Sequence, residues 1–491
     1  MEIPQLLWST VPPWAAITFF FVDLFIRLLA LGVVPHNRRP SAAWGWLLVI
    51  FFFPVLGALV FLALGRADVP KVRKDKQRGA TQRVDPDDPS VVPSGDTRLP
   101  AYVRHAVNLN CGNGGFPLVD GNRIEVLDDY DRSLRVLAEA IRGAERFVHF
   151  EFYIVAADDT TEPVIAALED AHRRGVTVRV LADHLGGTGF PGYKQFVRRM
   201  DAAGIPWSRM LPVRPWRGEY QRPDLRNHRK IVVVDGHTAF TGSQNVIDRS
   251  YNKKANRRKG LQWIDMLLRV EGPVVQHLDA VFAADWHCET DEVIPVEHTA
   301  SAAAPEQGGM LCQALPSGTG RDEEGNLQLF NSLFLSAAEQ LTVCTPYFVP
   351  EDSMYNALRA TARRGVDVRL YMGATSNHTL THHAQRSFYE MLLKEGIRIF
   401  LYTEPYVLHS KFTLVDGEVA VVGSSNMDVR SFTLDHEIDL MVVDTEFVTR
   451  MRAVVDGYHR ECHELELDAW LARPWHQKYV DDATRLTSAL Q

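Results

Sequence analysis

Cysteine and net positive charge are both scarce in this chain. Its 491 residues include five cysteines, an odd number without a C-x-x-C pair, so neither a disulfide framework nor a thiolate zinc site is indicated. Basic residues number 53 against 61 acidic ones, which argues against a broadly positive surface for nucleic acid. We therefore predict a chain from a reducing compartment, without a thiolate zinc site and without a nucleic-acid partner.

Charge is also sparse in the first 66 residues. Two apolar stretches, at about 14–34 and 43–64, contain 21 and 22 residues. At about 1.5 Å per residue, each is long enough to cross a hydrocarbon core of about 30 Å. The first stretch contains Asp23 and Arg27, whose i,i+4 spacing lets them pair on the helix face that packs on the second helix or on a partner. Residues 1–66 are therefore predicted to form two transmembrane helices.

Basic residues are unevenly placed around these stretches. The extreme N-terminus (MEIPQLLW) has no Lys or Arg, so a cleaved signal peptide is not indicated. The loop between the stretches carries Arg38 and Arg39, whereas seven basic residues follow the second stretch. They are Arg66, Lys71, Arg73, Lys74, Lys76, Arg78 and Arg83. By the positive-inside rule, this asymmetry predicts that the N-terminus and the chain after the helices lie in the cytoplasm.

Residues 67–100 lack apolar periodicity and contain five prolines. The segment is predicted to be an extended linker, basic at first and proline-rich later. Its basic part either lies against anionic lipid headgroups or forms a solvated tether, and the sequence favours neither. The globular part begins near residue 101.

The globular part contains an internal repeat. The string RRGVTVRV at 173–180 returns as RRGVDVRL at 363–370, an offset of 190 residues. Each copy follows a helical pattern and, before it, a strand that ends near Tyr153 or Tyr347. This alternation predicts an α/β fold with βαβ crossovers, in which each half forms a mixed sheet flanked by helices. The two halves are residues 101–300 and 301–491.

A second matched string carries the chemistry. Both halves contain H-x-K-x4-D-x6-G-S-x-N, with an offset of 181 residues throughout. The matched residues are His228, Lys230, Asp235, Gly242, Ser243 and Asn245 in the first half and His409, Lys411, Asp416, Gly423, Ser424 and Asn426 in the second. A histidine and a lysine two positions apart on a strand lie on the same face. Two such pairs between the halves suit a phosphodiester, because one imidazole attacks phosphorus while the other protonates the leaving alkoxide.

Other polar residues receive supporting roles. The side chains expected to hold the phosphate oxygens are the two lysines, Ser243, Asn245, Ser424 and Asn426. Asp235 and Asp416 belong to the candidate catalytic set, but each precedes a glycine between two β-rich runs, so a turn-forming role is equally open. Asp265 and Glu437, on strands after the two motifs, are expected to orient the imidazoles.

The duplicated H-x-K-x4-D motif resembles that of the phospholipase D superfamily. With the two N-terminal apolar stretches and the strings RNHRKIVVVDG, TPYFVPED, ARRGVDVRL and NMDVRSF, nearly the whole chain is similar to the bacterial cardiolipin synthases. The resemblance implies a multi-pass protein of the bacterial cell membrane. It also implies transfer of a phosphatidyl group from one phosphatidylglycerol to another, with no metal or cofactor. His228 would be the nucleophile and His409 the acid and base.

The chain departs from the family pattern at three places. Ser243 stands where the family usually has glycine, Ser410 where it usually has alanine, and Asp435-His436 precedes Glu437 where Asn-Phe is common. Every expected catalytic group is nevertheless present. The motif specifies phosphodiester chemistry but not the acceptor, so another alcohol or water is the alternative to a second phosphatidylglycerol. The partners implied are phospholipid substrates and membrane lipids, and the sequence does not predict the oligomeric state.

Overall fold

The computed structural model describes residues 12–36, 38, 40–65, 71–85, 88–93, 95–296, 309–318, 324–376 and 378–486. The chain divides into two units, one of residues 1–69 with Arg222–Asp224 and one of the remaining residues. Arg39, Arg66, the N-terminal segment MEIPQLLW and the predicted boundary at residue 300 lie outside the described residues.

The first unit contains the apolar helices. They are α1 (Pro13–Val33), α2 (Pro40–Phe52), α3 (Pro54–Val60) and a π-helical turn (Phe61–Gly65). Nε of Arg27 lies 2.8 Å from Oδ2 of Asp23, and the guanidinium of Arg27 lies 5.7 Å from the centre of the Phe51 ring. The predicted pairing of these two charges on one face, against the second apolar stretch, is therefore confirmed.

The prediction of one continuous helix over 43–64 is wrong. The chain leaves the helical conformation at Phe53, where φ is −133°, and a new helix begins at Pro54. Proline has no N–H and its ring clashes with the preceding turn, so the helix breaks there. Among the described residues, one helix is long and apolar enough to cross a membrane, Trp14–Val33.

The second unit holds both halves of the repeat. The first half contains α4 (Lys71–Arg78), α5 (Ala101–Gly112), β1 (Val119–Leu127), α6 (Tyr130–Arg142), β2 (Phe147–Phe152), α7 (Glu162–Arg173), β3 (Thr177–Asp183), α8 (His184–Thr188), α9 (Tyr193–Ala203), β4 (Trp207–Met210), β5 (Val213–Arg214), β6 (Glu219–Tyr220), β7 (Lys230–Val234), β8 (Thr238–Gly242), α10 (Lys254–Lys259), β9 (Gln262–Ile264), β10 (Leu267–Glu271) and α11 (Val274–Thr290).

The second half repeats this order of strands and helices. It contains β11 (Met310–Pro316), α12 (Gly325–Ser336), β12 (Gln340–Cys344), β13 (Phe348–Val349), α13 (Asp352–Arg363), β14 (Asp367–Gly373), α14 (Thr379–Lys394), β15 (Arg398–Tyr402), β16 (Tyr406–Leu408), β17 (Phe412–Val415), β18 (Val419–Gly423), β19 (Met427–Asp428), α15 (Val429–Thr433), β20 (Ile438–Val443), α16 (Thr445–Arg460), β21 (Cys462–Glu464), α17 (Leu467–Leu471) and α18 (Trp475–Arg485).

Each half has the predicted βαβ crossovers. Strands β2, β3 and β4 are parallel and are linked by helices, as are β12, β14 and β15. All six residues of β2 are buried, as expected for a central strand covered on both faces. Antiparallel strands complete each half, β7, β8 and β10 in the first and β17, β18 and β20 in the second. The α/β fold with a duplicated mixed sheet is therefore confirmed.

The two sheets are joined, contrary to the expectation of one separate sheet per half. The continuous order is β21, β15, β14, β12, β17, β18, β20, β11, β1, β10, β8, β7, β2, β3 and β4. Strand β1 is the link, since it pairs with β10 on one edge and with β11 on the other. A register shift between Val119 and Asn122 interrupts the pairing with β11.

The predicted extended linker is also wrong over its basic part, because Lys71–Arg78 forms α4 and packs on α11. Arg73 pairs with Glu289, and Gln77 donates to Asp285. The side chains of Arg73 and Gln77 are buried. Polar side chains therefore hold α4 against α11. A search for apolar periodicity could not predict such a contact.

Candidate active site

Each motif histidine is held by the backbone of the opposite half. The N–H of His228 donates to the carbonyl of His436, and the N–H of His409 donates to the carbonyl of Ile264, both at 2.8 Å. The acceptor in each case immediately precedes a carboxylate residue, Glu437 or Asp265. This pairing brings a carboxylate of one half beside the histidine of the other half.

The side chains complete these crossed pairs. Nδ1 of His228 lies 2.9 Å from Oε1 of Glu437, and Nδ1 of His409 lies 2.9 Å from both carboxylate oxygens of Asp265. A carboxylate that accepts the Nδ1–H leaves Nε2 available for chemistry. The sequence singled out both carboxylates but could not indicate that each contacts the histidine of the opposite half.

The two lysines lie next to the imidazoles and are buried. Nζ of Lys411 donates to the carbonyl of His409 at 2.7 Å and lies 3.3 Å from both of its ring nitrogens. Nζ of Lys230 donates to the carbonyl of His228. Burial lowers the pKa of Lys411 to about 7 and lowers that of Lys230 as well. A phosphate between the lysines would favour their charged forms.

Both His-Lys pairs line one cavity of about 730 Å³. The other polar and aromatic residues that line it come from both halves: Tyr153, Phe190, Arg226, Asn245, Tyr251, Lys253, Trp263, Tyr347, His378, Thr379, Thr381, Ser424, Asn426, Asp428, Arg430 and Asp435. Its cationic lining suits an anionic substrate.

The two histidine–carboxylate pairs differ in their electrostatics. Burial lowers the pKa of both imidazoles to about 4. Burial also raises the pKa of Glu437 to about 7. In Asp265, the charge and hydrogen bond of His409 outweigh the effect of burial and hold the pKa below its ordinary value. Asp265 is therefore the permanent carboxylate, whereas Glu437 titrates near neutrality.

The motif serines act on the carboxylate strands. Oγ of Ser424 donates to Oε2 of Glu437 at 2.6 Å, and Oγ of Ser243 accepts from the N–H of Met266 at 3.2 Å. The preceding glycines permit this approach, because a Cβ on Gly242 would lie 2.6 Å from the carbonyl oxygen of Met266 and a Cβ on Gly423 would lie 2.4 Å from the carbonyl oxygen of Ile438. The predicted phosphate contact is wrong for Ser243, which is fully buried and does not line the cavity.

The motif asparagines both line the cavity. Oδ1 of Asn245 accepts from the N–H of Ile154 at 3.2 Å, and its Nδ2 donates to the hydroxyl of Tyr251 at 3.0 Å. Oδ1 of Asn426 is buried and has no hydrogen-bond partner among the described residues. Phosphate oxygens only accept hydrogen bonds, so in either asparagine the amide Nδ2, and not Oδ1, would be the donor to a phosphate.

The motif aspartates do not reach the cavity, so their place in the catalytic set is corrected. Asp235 and Asp416 occupy the turns after β7 and β17 with φ of 54° and 51°. Asp235 accepts hydrogen bonds from the N–H groups of residues 145, 146 and 147, and Asp416 accepts them from 338, 339 and 340. They fasten the turn to the start of a neighbouring strand, at the end of the strand away from the histidine.

Aromatic and acidic residues around the histidines were not predicted as site residues. The ring centre of Tyr153 lies 4.3 Å from that of His228, and Tyr347 lies 6.5 Å from His409. Their matched places in the repeat were the available signal. Asp435 also lies near the first pair, with Oδ2 3.6 Å from Nδ1 of His228, and burial raises its pKa to about 6.

Arg229 lies behind the site, between the two motif residues of the first half. Its side chain is fully buried, pairs with Asp285, and donates to the backbone carbonyls of Glu437 at 3.1 Å and Ser317 at 2.6 Å. This arginine therefore links the H-x-K strand of one half to the carboxylate strand of the other.

One group of described side chains has the ligand types of a metal site. Ligand atoms of His228, Asp435 and Glu437 lie within 4.8 Å of one another. Lys230 contributes positive charge that lowers the pKa of His228, and two serines already donate to Glu437. Hydrogen bonds from His228, Ser424 and Ser431 to Glu437 explain why these side chains lie close together. That the enzyme needs no metal stays a prediction.

Two family models match this chain. A family model described as "Cardiolipin synthase, PLD-like domain" matches residues 137–286 and 331–458. A second model, described as "Phospholipase_D-nuclease N-terminal", matches residues 14–66. The chain belongs to the cardiolipin synthase family of phospholipase D-like proteins. The resemblance drawn from the sequence motifs is confirmed.

Curated relatives extend over nearly the whole chain. Cardiolipin synthase A of Proteus mirabilis (strain HI4320) is 32% identical and aligns with 96% of this chain and 97% of its own length. Cardiolipin synthase A of Serratia proteamaculans (strain 568) is 33% identical over 95% of this chain and 96% of its own. A crystal structure of phosphatidylserine synthase from Haemophilus influenzae Rd KW20 has the same fold, with a TM-score of 0.59, 16% identity, and coverage of 80% of this chain and 100% of that one.

Proposed function

We propose that this protein is a cardiolipin synthase that transfers a phosphatidyl group between two phosphatidylglycerol molecules through a phosphohistidine. The observation that carries the proposal is the pair of crossed histidine–carboxylate contacts, set with two buried lysines in one cavity. Such a site supplies a nucleophile, an acid and two cations. The relatives named cardiolipin synthase A, which align with nearly the whole chain, support the choice of substrate.

The first step forms the phosphoenzyme. Nε2 of His228 attacks phosphorus, and the bond from phosphorus to the glycerol oxygen breaks. His409, protonated beside the bound phosphate, gives its Nε2 proton to that oxygen, so glycerol leaves neutral. Lys230 and Lys411 stabilise the charge on the non-bridging oxygens.

The second step transfers the phosphatidyl group. Neutral His409 takes the proton from the hydroxyl of a second phosphatidylglycerol, and that oxygen attacks phosphorus. The phosphorus–nitrogen bond breaks, and its electron pair returns to His228. Cardiolipin leaves, and His409 is protonated again for the next cycle.

The carboxylates support this division of roles. The pKa of Asp265 is held below its ordinary value, so at neutral pH its negative charge is present to stabilise an imidazolium at His409. The pKa of Glu437 is raised to about 7, which makes it the weaker support for a charged ring but an adequate acceptor for the Nδ1–H of the nucleophile. His409 therefore suits the acid and base role.

The membrane arrangement is part of the proposal. Helix α1 would cross the bilayer, and the broken segment α2–α3 would return, so that the catalytic unit lies in the cytoplasm. To test the side, Lys254→Cys introduces a thiol at an exposed position of α10. An impermeant maleimide should label this variant, above the background of the parent protein, in inverted vesicles and not in intact cells. Labelling in intact cells would place the catalytic unit outside.

Transfer is tested with the full-length protein in vesicles of phosphatidylglycerol labelled separately in the headgroup and in the acyl chains. We expect equal amounts of glycerol and cardiolipin. His228→Ala should abolish the labelled phosphoenzyme, whereas His409→Ala should form it slowly. Labelled enzyme in the His228→Ala protein would contradict the role of His228, and phosphatidic acid as the sole lipid product would contradict the transferase.

A further inference from the structure

A lysine outside the motif, Lys253, lies in the same cavity. Lys253 immediately precedes α10 and lines the cavity, and its Nζ lies 4.5 Å from the centre of the Phe190 ring. Among the described residues, no carboxylate lies within ion-pair distance of it. A cation that lines a binding cavity and pairs with no described carboxylate is available to an anionic ligand.

Two further cationic or polar groups lie nearby, and both come from the second half. They are His378, just before α14, and Arg430 in α15, whose Nη2 is 3.6 Å from Oδ1 of Asp435. Burial and the charges of Lys253, Arg430 and His228 lower the pKa of His378. At neutral pH His378 therefore offers a neutral imidazole N–H, while Lys253 and Arg430 offer charge.

Ring contacts connect His378 and Lys253 with His409, whereas Arg430 pairs with Asp435, which lies beside His228. The ring of Tyr347 lies near both His409 and His378, at centroid distances of 6.5 and 5.5 Å. The ring of Tyr251 lies 6.3 Å from His409 and 5.6 Å from Phe190, over which Lys253 sits. Tyr347 therefore connects His409 with His378, and Tyr251 and Phe190 connect His409 with Lys253.

This position matters because His409 must accept the proton of the incoming hydroxyl. In phosphatidylglycerol that hydroxyl belongs to a glycerol whose far end carries the acceptor's own phosphodiester. Water and glycerol have no such anion. A positive group that lines the same cavity as His409 would therefore distinguish an anionic lipid acceptor from water.

We infer that Lys253, assisted by His378 and Arg430, binds the phosphodiester of the acceptor phosphatidylglycerol and so selects transfer over hydrolysis. The inference rests on the proposed function, in particular on His409 as the base. Leu185 and Leu380, 38% and 60% exposed, also line this cavity and offer apolar contact to the acceptor's glycerol ester region.

The test is a competition between two acceptors. The full-length protein acts on vesicles of acyl-labelled phosphatidylglycerol in the presence of ethanol, which forms phosphatidylethanol and carries no phosphate. In Lys253→Gln, we expect the ratio of cardiolipin to phosphatidylethanol to fall about tenfold or more, because a charge-assisted contact is lost for one acceptor only. The apparent KM for phosphatidylglycerol as acceptor should rise, and Lys253→Arg should restore most of the ratio.

The matched control is Lys254→Gln, which removes the same charge from an exposed neighbour outside the cavity and should keep the wild-type ratio. An unchanged ratio in Lys253→Gln, with cardiolipin still formed by the wild type, would overturn the acceptor site alone. Equal falls in both glutamine variants would also overturn it, since surface charge would then be the cause. If the wild type releases glycerol but forms no cardiolipin, the proposed function fails first.

Discussion

At the scale of residues, Glu437 gives the site a pH dependence. Attack by Nε2 of His228 requires a proton on Nδ1, and Glu437 must be ionised to accept its hydrogen bond. Burial raises the pKa of Glu437 to about 7, so the competent form is present above this pH and is lost below it. The rate of glycerol release in a single turnover should therefore fall as the pH drops through about 7.

Glu437→Gln provides the comparison. The amide cannot titrate, so this variant should be slower by about 10- to 100-fold at high pH, and its rate should no longer fall on this acidic limb. Rapid-quench measurement of glycerol release across the pH range distinguishes the two profiles. An identical acidic limb in the variant would assign the titration to another group.

A second residue-scale prediction concerns Asp416. Its carboxylate accepts three backbone N–H groups at the start of β12, and its φ of 51° suits few residues. Asp416→Ala should lower the free energy of unfolding by about 1–3 kcal/mol, while the folded protein keeps its activity. Asp416→Asn retains an acceptor and tolerates the left-handed conformation, so its loss should be smaller.

Thermal unfolding in detergent, with specific activity measured well below the transition, checks this prediction. Unchanged stability with loss of activity in Asp416→Ala would return the residue to the catalytic set.

At the scale of elements, local patterns predicted more than long-range pairing did. The repeat, its βαβ crossovers and the H-x-K strands could be predicted because their periodicity lies within short segments. The crossing of Glu437 to His228 could not, because strand partners across the two halves are chosen by the whole fold. Ser243 was predicted to bind phosphate because it carries a hydroxyl. In the structure the backbone of Gly242 lies close to Met266, and the Ser243 hydroxyl accepts a hydrogen bond from the N–H of Met266.

Helix α4 illustrates the same limit and allows a matched test. Proline content and charge predicted a linker, yet Arg73 is buried against Glu289 while Lys74, next to it, makes no ion pair with a described residue. Arg73→Met leaves Glu289 without its partner and should lower the free energy of unfolding by about 3–5 kcal/mol. Lys74→Met should change it by less than about 0.5 kcal/mol.

Denaturant unfolding of the two full-length variants in detergent measures this difference. Equal stabilities would mean that α4 is not docked through Arg73, and the tether interpretation would regain support.

At the scale of the whole molecule, the two halves of the repeat form one active site because each half supplies a carboxylate to the histidine of the other. The joined sheet runs through β1 and β11, and each histidine takes its carboxylate from the other half. Each motif histidine therefore depends on the opposite half for the carboxylate at its Nδ1. This arrangement predicts which catalytic residues are energetically coupled.

A double-mutant cycle tests the crossed pairing of each histidine with the carboxylate of the opposite half. On a phosphodiester with a poor leaving group, Asp265→Asn should add little to the defect of His409→Ala, because both act through one imidazole. Glu437→Gln should add nearly its full effect to His409→Ala, since it acts on His228. Pairing within each half would give the reverse pattern, with Glu437 coupled to His409 and Asp265 independent of it. Single-turnover rates of the wild type, three single variants and two double variants decide between the two arrangements. Both double variants share the His409→Ala background, so a general loss of stability would not produce the difference expected between Asp265→Asn and Glu437→Gln.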